Sequence, residues 1–332
     1  MTEIDVGSYF STLVATLAHR ALSPQSRLHW IYLLSALFMS LYAYGICRVP
    51  GDGRPLREYL FPRAVWLHTS AITDYLFVAL TLPIWSLWVA PNLLSATQVA
   101  HNVLSALHNW LGPVPRSAMP TAAMGLLYTV VLIVVSDLER YWVHRLMHRV
   151  PLLWEFHKVH HSAEVLTPIS FFRAHPVDML LPELADVIVT GFVTAMFLYV
   201  FPHGVMLVTI LGVNAFRFAF YLFGANLRHS HVWFSFGPAV EHFIISPAQH
   251  QIHHSADTQH LNRNFGFELA VWDWMFGTLY IPRGRETLTF GLGTEENRRL
   301  SSVWQLLMNP VIAVQRHLIL RTCSPSKSAG TP

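Results

Sequence analysis

TAAMGLLYTVVLIVVSDLERYWVHRLMH, Thr121 to His148, is the stretch on which the fold turns. Thr121 to Ser136 carries no charge. Asp137 then opens a polar continuation that contains neither proline nor glycine and holds Tyr141, His144 and His148. Asp137, Tyr141, His144 and His148 are spaced 4, 3 and 4 residues apart, so they share one face of a helix. The reading is a membrane helix that runs past the bilayer and presents two imidazoles just beyond it.

Working outward, four more apolar segments stand out. Trp30 to Cys47 is uncharged between Arg27 and Arg48, and Tyr75 to Thr97 is uncharged around Pro83 and Pro91. Leu184 to Phe201 holds only Asp186, and Val205 to Phe223 only Arg217. Pro202, His203 and Gly204 separate the last two, which predicts a tight helical hairpin, spanning or partly re-entrant. The chain is 53% hydrophobic and 12% charged, against about 25% charged in soluble domains. Net charge is +3. That suits basic loops on an anionic membrane surface and excludes a nucleic-acid face. Two cysteines, Cys47 and Cys323, give no disulfide framework or thiolate site. An N-terminus with Glu3, Asp5 and no basic region gives no expectation of a cleaved signal peptide.

The positive-inside rule assigns the loop with Arg48, Arg54, Arg57 and Arg63 to the cytoplasm. Parity then puts the N-terminus and Gln98 to Pro120 outside and every histidine cluster on the cytoplasmic side. The expected fold is all-α: an integral membrane helical bundle with a cytoplasmic helical cap carrying the histidine boxes. Residues 1–120 form an N-terminal membrane region of two spanning helices and loops, 121–283 the catalytic domain and 284–332 a cytoplasmic tail. Within that tail Val303 to Leu320 is a surface helix and the last ten residues are disordered.

Twenty histidines are the unusual count. His144-x3-His148 is followed by His157-x2-His160-His161, by His229-Ser-His231, and by His250-x2-His253-His254. Residues three and four apart lie on one side of a helix, so each triple box is expected to aim three imidazoles at one small volume. A single H-x-x-x-H is a common accident; two H-x-x-H-H boxes on one predicted side are not. Neutral imidazole suits iron, zinc and copper. Nine such histidines exceed what one metal takes and suggest two. His19, His29, His68, His101, His108, His203 and His317 are isolated, and His242 and His260 are off pattern. His175, in Arg173-Ala-His175-Pro176, reads as a turn or surface histidine rather than a ligand.

The order of these boxes resembles the fatty acid hydroxylase/sterol desaturase superfamily of membrane histidine-box oxygenases. So does Asn264-Phe265-Gly266 followed by Trp272-Asp273 and Phe276-Gly277-Thr278, and the likeness covers roughly Ser136 to Pro282. The resemblance implies a di-iron centre held by His144, His148, His157, His160, His161, His229, His250, His253 and His254. His231, where many members have asparagine, is a tenth ligand or a supporting group. It implies an O2-dependent monooxygenase or desaturase acting on a fatty acyl chain, sterol, carotenoid or aminolipid, with hydroxylation preferred here. All-nitrogen ligation needs acceptors for the free imidazole N–H groups. Asp137, Glu155, Glu164, Asp178, Glu241 and Asp273 are at hand, with Asp137 first because it shares the face of His144. No dinucleotide, flavin or haem motif is present, so electrons come from a separate ferredoxin or cytochrome with its reductase. Lys158, Arg145, Arg149 and Arg228 form a docking face for it or anchor lipid headgroups. The aromatic run Phe216, Phe218, Phe220, Tyr221 and Phe223 lines a lipid slot or belongs to the core or lipid face. The rivals are a zinc membrane hydrolase, which lacks its H-E-x-x-H, and a non-enzymatic metal-binding membrane protein.

Overall fold

The computed structural model describes residues 6–46, 53–113, 119–201 and 204–323. Cys47, Arg48, the Pro202-His203 break and residues 324–332 lie outside the described residues, as do Glu3 and Asp5.

The described chain is mostly helical. In order it forms α1 (Val6–Leu22), α2 (Trp30–Ile46), α3 (Thr69–Ile84), α4 (Ala96–Leu111), α5 (Thr121–Arg149), α6 (Pro151–His161) and α7 (Pro176–Val200). A two-stranded antiparallel hairpin follows, β1 (Thr209–Ile210) and β2 (Val213–Asn214). Then come α8 (Ala215–Leu222), α9 (Pro247–His253) and α10 (Val303–Cys323), with several helices of four to six residues between them. Three apolar helical runs are long enough to cross a membrane: Thr69–Leu111, Thr121–Arg149 and Pro176–Val200. α2 is apolar but shorter.

α5 is the continuous helix that its sequence predicts, 29 residues from the apolar run through both histidines. Val150 then adopts an extended conformation (φ −92°, ψ 114°) because the residue before a proline is excluded from the helical region. Pro151 starts α6 at its first position, where its missing N–H costs nothing. The chain therefore folds sharply back and brings the second box alongside the first.

The second apolar segment differs from its expectation. α3 ends at Ile84, a π-type turn and a 3-10 turn follow through Asn92, and Ser95 opens α4 with a capping box to Gln98. Pro91 lies in the 3-10 turn and cannot donate to a continuing helix. Residues beyond Gln98 are therefore largely helical, and α4 lies directly against α7. A Cβ on Gly191 of α7 would stand 2.7 Å from the Ala96 carbonyl of α4, so only glycine allows this approach.

The predicted hairpin of two helices is also corrected. α7 is its first arm, but Val205 to Phe223 returns as irregular chain, the β-hairpin and the eight-residue α8. The return is real: the Met206 carbonyl lies against Gly125, Val208 N donates to Thr129 Oγ1 (2.8 Å), and further on Arg217 reaches Glu268 (2.8 Å). Non-helical backbone at such depth survives only with its polar groups satisfied inside the protein. Here β1 pairs with β2, Thr129 takes the Val208 N–H, and the Asn214 side chain accepts from Phe216 N and Arg217 N.

The N-terminal helices are built into the histidine-bearing part. Tyr32 of α2 packs with Phe218, Phe220 and Tyr221, and the Arg27 guanidinium donates to the Ala225 carbonyl. Asp74 of α3 pairs with the buried Arg173 at 2.7 Å. α10 seals the far side, with Leu306 buried among Phe77, Val159 and Leu300.

Candidate metal centre

Two groups of imidazoles meet where α5, α6, α9 and the 3-10 turn Ala225–His229 converge. His144, His148, His157, His161 and His253 form one; His160, His229, His250 and His254 form the other. Within each, the ligating nitrogens all lie within 4.8 Å of one another. The groups share an edge, where the His161 and His254 rings stack at 4.5 Å.

Each H-x-x-H-H box is divided between the groups, against the expectation of three imidazoles in one volume. His157 and His161 go to the five-histidine group and His160 to the other; His250 and His254 go to the four-histidine group and His253 to the first. The split follows from helix geometry, since adjacent positions point about 100° apart. The i, i+4 pair shares a face while the i+3 residue turns toward the neighbouring group. All nine histidines are thus brought together. His231 is not: its Nε2 donates to the Tyr59 carbonyl at 2.7 Å, and it belongs to neither group. His175 caps α7 and donates to the Leu307 carbonyl (3.0 Å); it is buried, not a surface histidine, and belongs to neither imidazole group.

The outer nitrogens fix ring orientation. A carbonyl or carboxylate can only accept, so the Nδ1–H groups of His144, His253 and His160 donate to Phe265 O (2.8 Å), Arg263 O (2.8 Å) and Arg173 O (3.3 Å), and that of His157 to Asp178 (2.9 Å). Their Nε2 atoms then face inward as lone pairs. Asp137, the first choice for His144, acts one step further out. It accepts from Glu268 N (2.8 Å), Leu269 N (3.0 Å) and Trp272 Nε1 (2.9 Å). Asp273 accepts from Phe265 N (2.8 Å), Gly266 N (2.7 Å) and Thr278 Oγ1 (2.6 Å). The Asn-Phe-Gly, Trp-Asp and Phe-Gly-Thr residues therefore form a buckle that delivers the Phe265 carbonyl to His144. A side chain at Gly266 would come within 2.4 Å of the Leu269 carbonyl.

Arg228, expected on a docking face, is 1% exposed and donates to His250 Nδ1 at 2.8 Å. Sequence reading missed this because an arginine beside a histidine looks like any surface cation. Lys158 is engaged with Glu155 and Glu296, and Arg145 donates to the Tyr141 hydroxyl. Of the four, Arg149 alone stays exposed without such a partner.

These residues fit resident metal ions. The buried Nε2 atoms of His148, His157, His161 and His253 have no hydrogen-bond partner, and each such orphan costs about 1–3 kcal/mol unless something binds it. In the second group His250 Nε2 lies 2.9 Å from His229 Nε2 and 3.2 Å from His254 Nε2. Because Arg228 can only donate to His250 Nδ1, the ring proton of neutral His250 sits on Nε2 and must leave before that atom binds a metal. Burial, with neighbouring imidazoles adding to it, pushes His161, His229, His250 and His254 well below the ordinary histidine value. Burial first, against the Arg263 carbonyl bond, takes His253 down to about 3; burial and His157 take His160 to about 4. Neutral imidazole is the form that metals bind. A cavity of about 400 Å³ opens onto both groups, touching His148, His161, His253 and His254 and walled by Trp154, Leu261 and Leu292.

Residues 129–278 match the fatty acid hydroxylase family. The chain is 26% identical over 156 residues to the alkylglycerol monooxygenase of Xenopus tropicalis, covering 47% of this chain and 31% of that protein. It is 30% identical over 166 residues to the ornithine lipid hydroxylase of Rhizobium tropici, covering 50% and 46%. With a Delta(7)-sterol 5(6)-desaturase of Gibberella zeae it shares 29% over 148 residues, covering 43% and 40%. The chain thus spans less than half the length of each of these relatives. No solved structure matches it.

Proposed function

With residues 129–278 belonging to the fatty acid hydroxylase/sterol desaturase superfamily, we propose that the chain is an integral membrane di-iron oxygenase that hydroxylates or desaturates a membrane lipid. The two imidazole groups that share an edge and one cavity carry this reading. His144, His148, His157, His161 and His253 would hold one iron, and His160, His229, His250 and His254 the other. The irons would supply activation of O2 and the oxidising power for an unreactive C–H bond. Carbonyl and carboxylate partners hold the Nε2 atoms of His144, His157, His160 and His253 inward, and Trp154, Leu261 and Leu292 wall the cavity so as to seat a lipid chain and exclude water. The fatty acyl chain, sterol and aminolipid classes are the candidates, and the alkylglycerol, ornithine lipid and sterol named in the relatives fall within or close to them. Electrons would come from an external ferredoxin or cytochrome with its reductase.

The metal end is assigned to the cytoplasm. Tyr59 touches His231, so the loop with Arg54, Arg57 and Arg63 lies at the histidine end, and the positive-inside rule favours that side. Residues 121–283 act as the catalytic unit, 1–120 as its membrane region and 284–332 as a C-terminal cover. A zinc hydrolase reading is weaker, since among the described residues neither imidazole group includes a carboxylate to serve as general base.

The test is to express the chain and its His253→Ala variant and compare membrane lipid extracts by mass. A product heavier by one oxygen, or lighter by two hydrogens, in the wild type alone supports the reading. Zinc as the only bound metal, with activity that does not need O2, overturns it.

A further inference from the structure

A cavity of about 960 Å³ lies apart from the one at the histidines. It lies between α2, α8, the loop 233–244 and the strip Pro282–Arg285. Its walls are apolar and largely aromatic, with Phe216, Phe220, Trp233 and Phe234 prominent, and no histidine lines it. Its floor is Phe220, whose ring meets the Arg228 guanidinium at 5.5 Å, and Arg228 in turn covers His250. A molecule in this cavity is therefore screened from the metal groups by a buried cation.

The mouth opens beside an exposed apolar face of α2. Phe38, Tyr42 and Ile46 are spaced four apart on α2 and are 67%, 54% and 67% exposed, an apolar stripe suited to the bilayer. Tyr42 of that stripe is itself a cavity wall, and exposed Phe223 and Val240 flank it. At one end stand Arg283 and Arg285, both exposed and without an ion-pair partner among the described residues. A volume this large suits a ligand at the upper end of ordinary pockets. An apolar slot ending in two guanidiniums suits an acyl chain joined to an anionic group, and two cations side by side favour a phosphate over a single carboxylate.

We propose that this cavity holds an acyl chain of an anionic phospholipid from the surrounding leaflet, its phosphate on Arg283 and Arg285, as a bound lipid that is not the one oxidised. The binding of the lipid stands on this cavity alone; that it is not the lipid oxidised rests on the catalytic reading.

Trp233 provides the probe. The full chain, reconstituted in phosphatidylcholine bilayers, is titrated with phosphatidylglycerol or phosphatidylcholine brominated on the acyl chains. The Trp233 contribution to quenching is taken as the difference from Trp233→Phe. Basic residues near an anionic surface each contribute a factor of about five. Allowing for screening, phosphatidylglycerol should be preferred about tenfold. The double variant Arg283→Ala/Arg285→Ala should quench equally with both lipids, and Ala219→Phe, which fills the slot, should protect Trp233 from either. Equal quenching by the two lipids in the wild type overturns the proposal. So does a preference that survives in the double variant, or that free brominated fatty acid satisfies while phosphatidylglycerol does not.

Discussion

The two imidazole groups are built from the same residue type yet differ in their support. In the five-histidine group, His144, His157 and His253 each rest Nδ1 on a carbonyl or carboxylate, and four Nε2 atoms wait unpaired. In the four-histidine group, His160 has a longer carbonyl bond, and His250 faces the donor Arg228. The buried Arg228 and Arg27 add positive charge beside it, which a second cation must overcome. Five imidazoles, three of them oriented at Nδ1 and one of those by a carboxylate, would make a stronger metal site than four next to a guanidinium. The first group should therefore fill first and empty last.

Four experiments sharpen or break this contrast. The largest effect is expected at the shared edge: His161→Ala removes a ligand and the ring stacked on His254, so product should fall below detection and iron from about two per chain to one or fewer. Iron analysis with activity decides it, and full iron content would show that the groups are independent. Next, Asp178→Asn should weaken only the five-histidine site, by about 10–100-fold in metal affinity. Competition with a graded chelator reads this, and an unchanged order of metal loss would dissolve the distinction.

The third is pH. The folded values of His160 and His253, about 4 and about 3, lie below the ordinary 6.5. The unfolded chain therefore binds more protons, and stability of the metal-free protein rises with pH across this range. It is fully present above about pH 6.5 and falls progressively as pH drops toward 3. Denaturation of apoprotein at pH 7.5 and 5 should show the loss. The smallest effect belongs to His231→Asn. It loses the bond to Tyr59 O, about 1 kcal/mol, and keeps both irons. A loss of iron would make His231 a ligand after all.

Much of the site was legible in the sequence because its logic is local. Spacings of three and four set His144 with His148 and His157 with His161 whatever the rest of the chain does. The run from Thr121 into His148 likewise reads as one helix because nothing in it interrupts the backbone hydrogen bonds. The return leg through residues 204–223 was not legible as structure. Its apolar composition fits a spanning helix, but up to Asn214 its hydrogen bonds are made to Thr129 and within its own β-hairpin, and only the short α8 after that is helical.

The sequence by itself determined the membrane character, the helical carrier of the first box and the identity of nine imidazoles in four places. Only the tertiary structure decided how those nine divide into five and four, that Asp178 and three carbonyls orient four of them, and that Arg228 turns inward. The reason is range: helical periodicity is settled within a few residues, whereas the partner of a ring nitrogen can be supplied from 121 positions away, as Phe265 supplies it to His144.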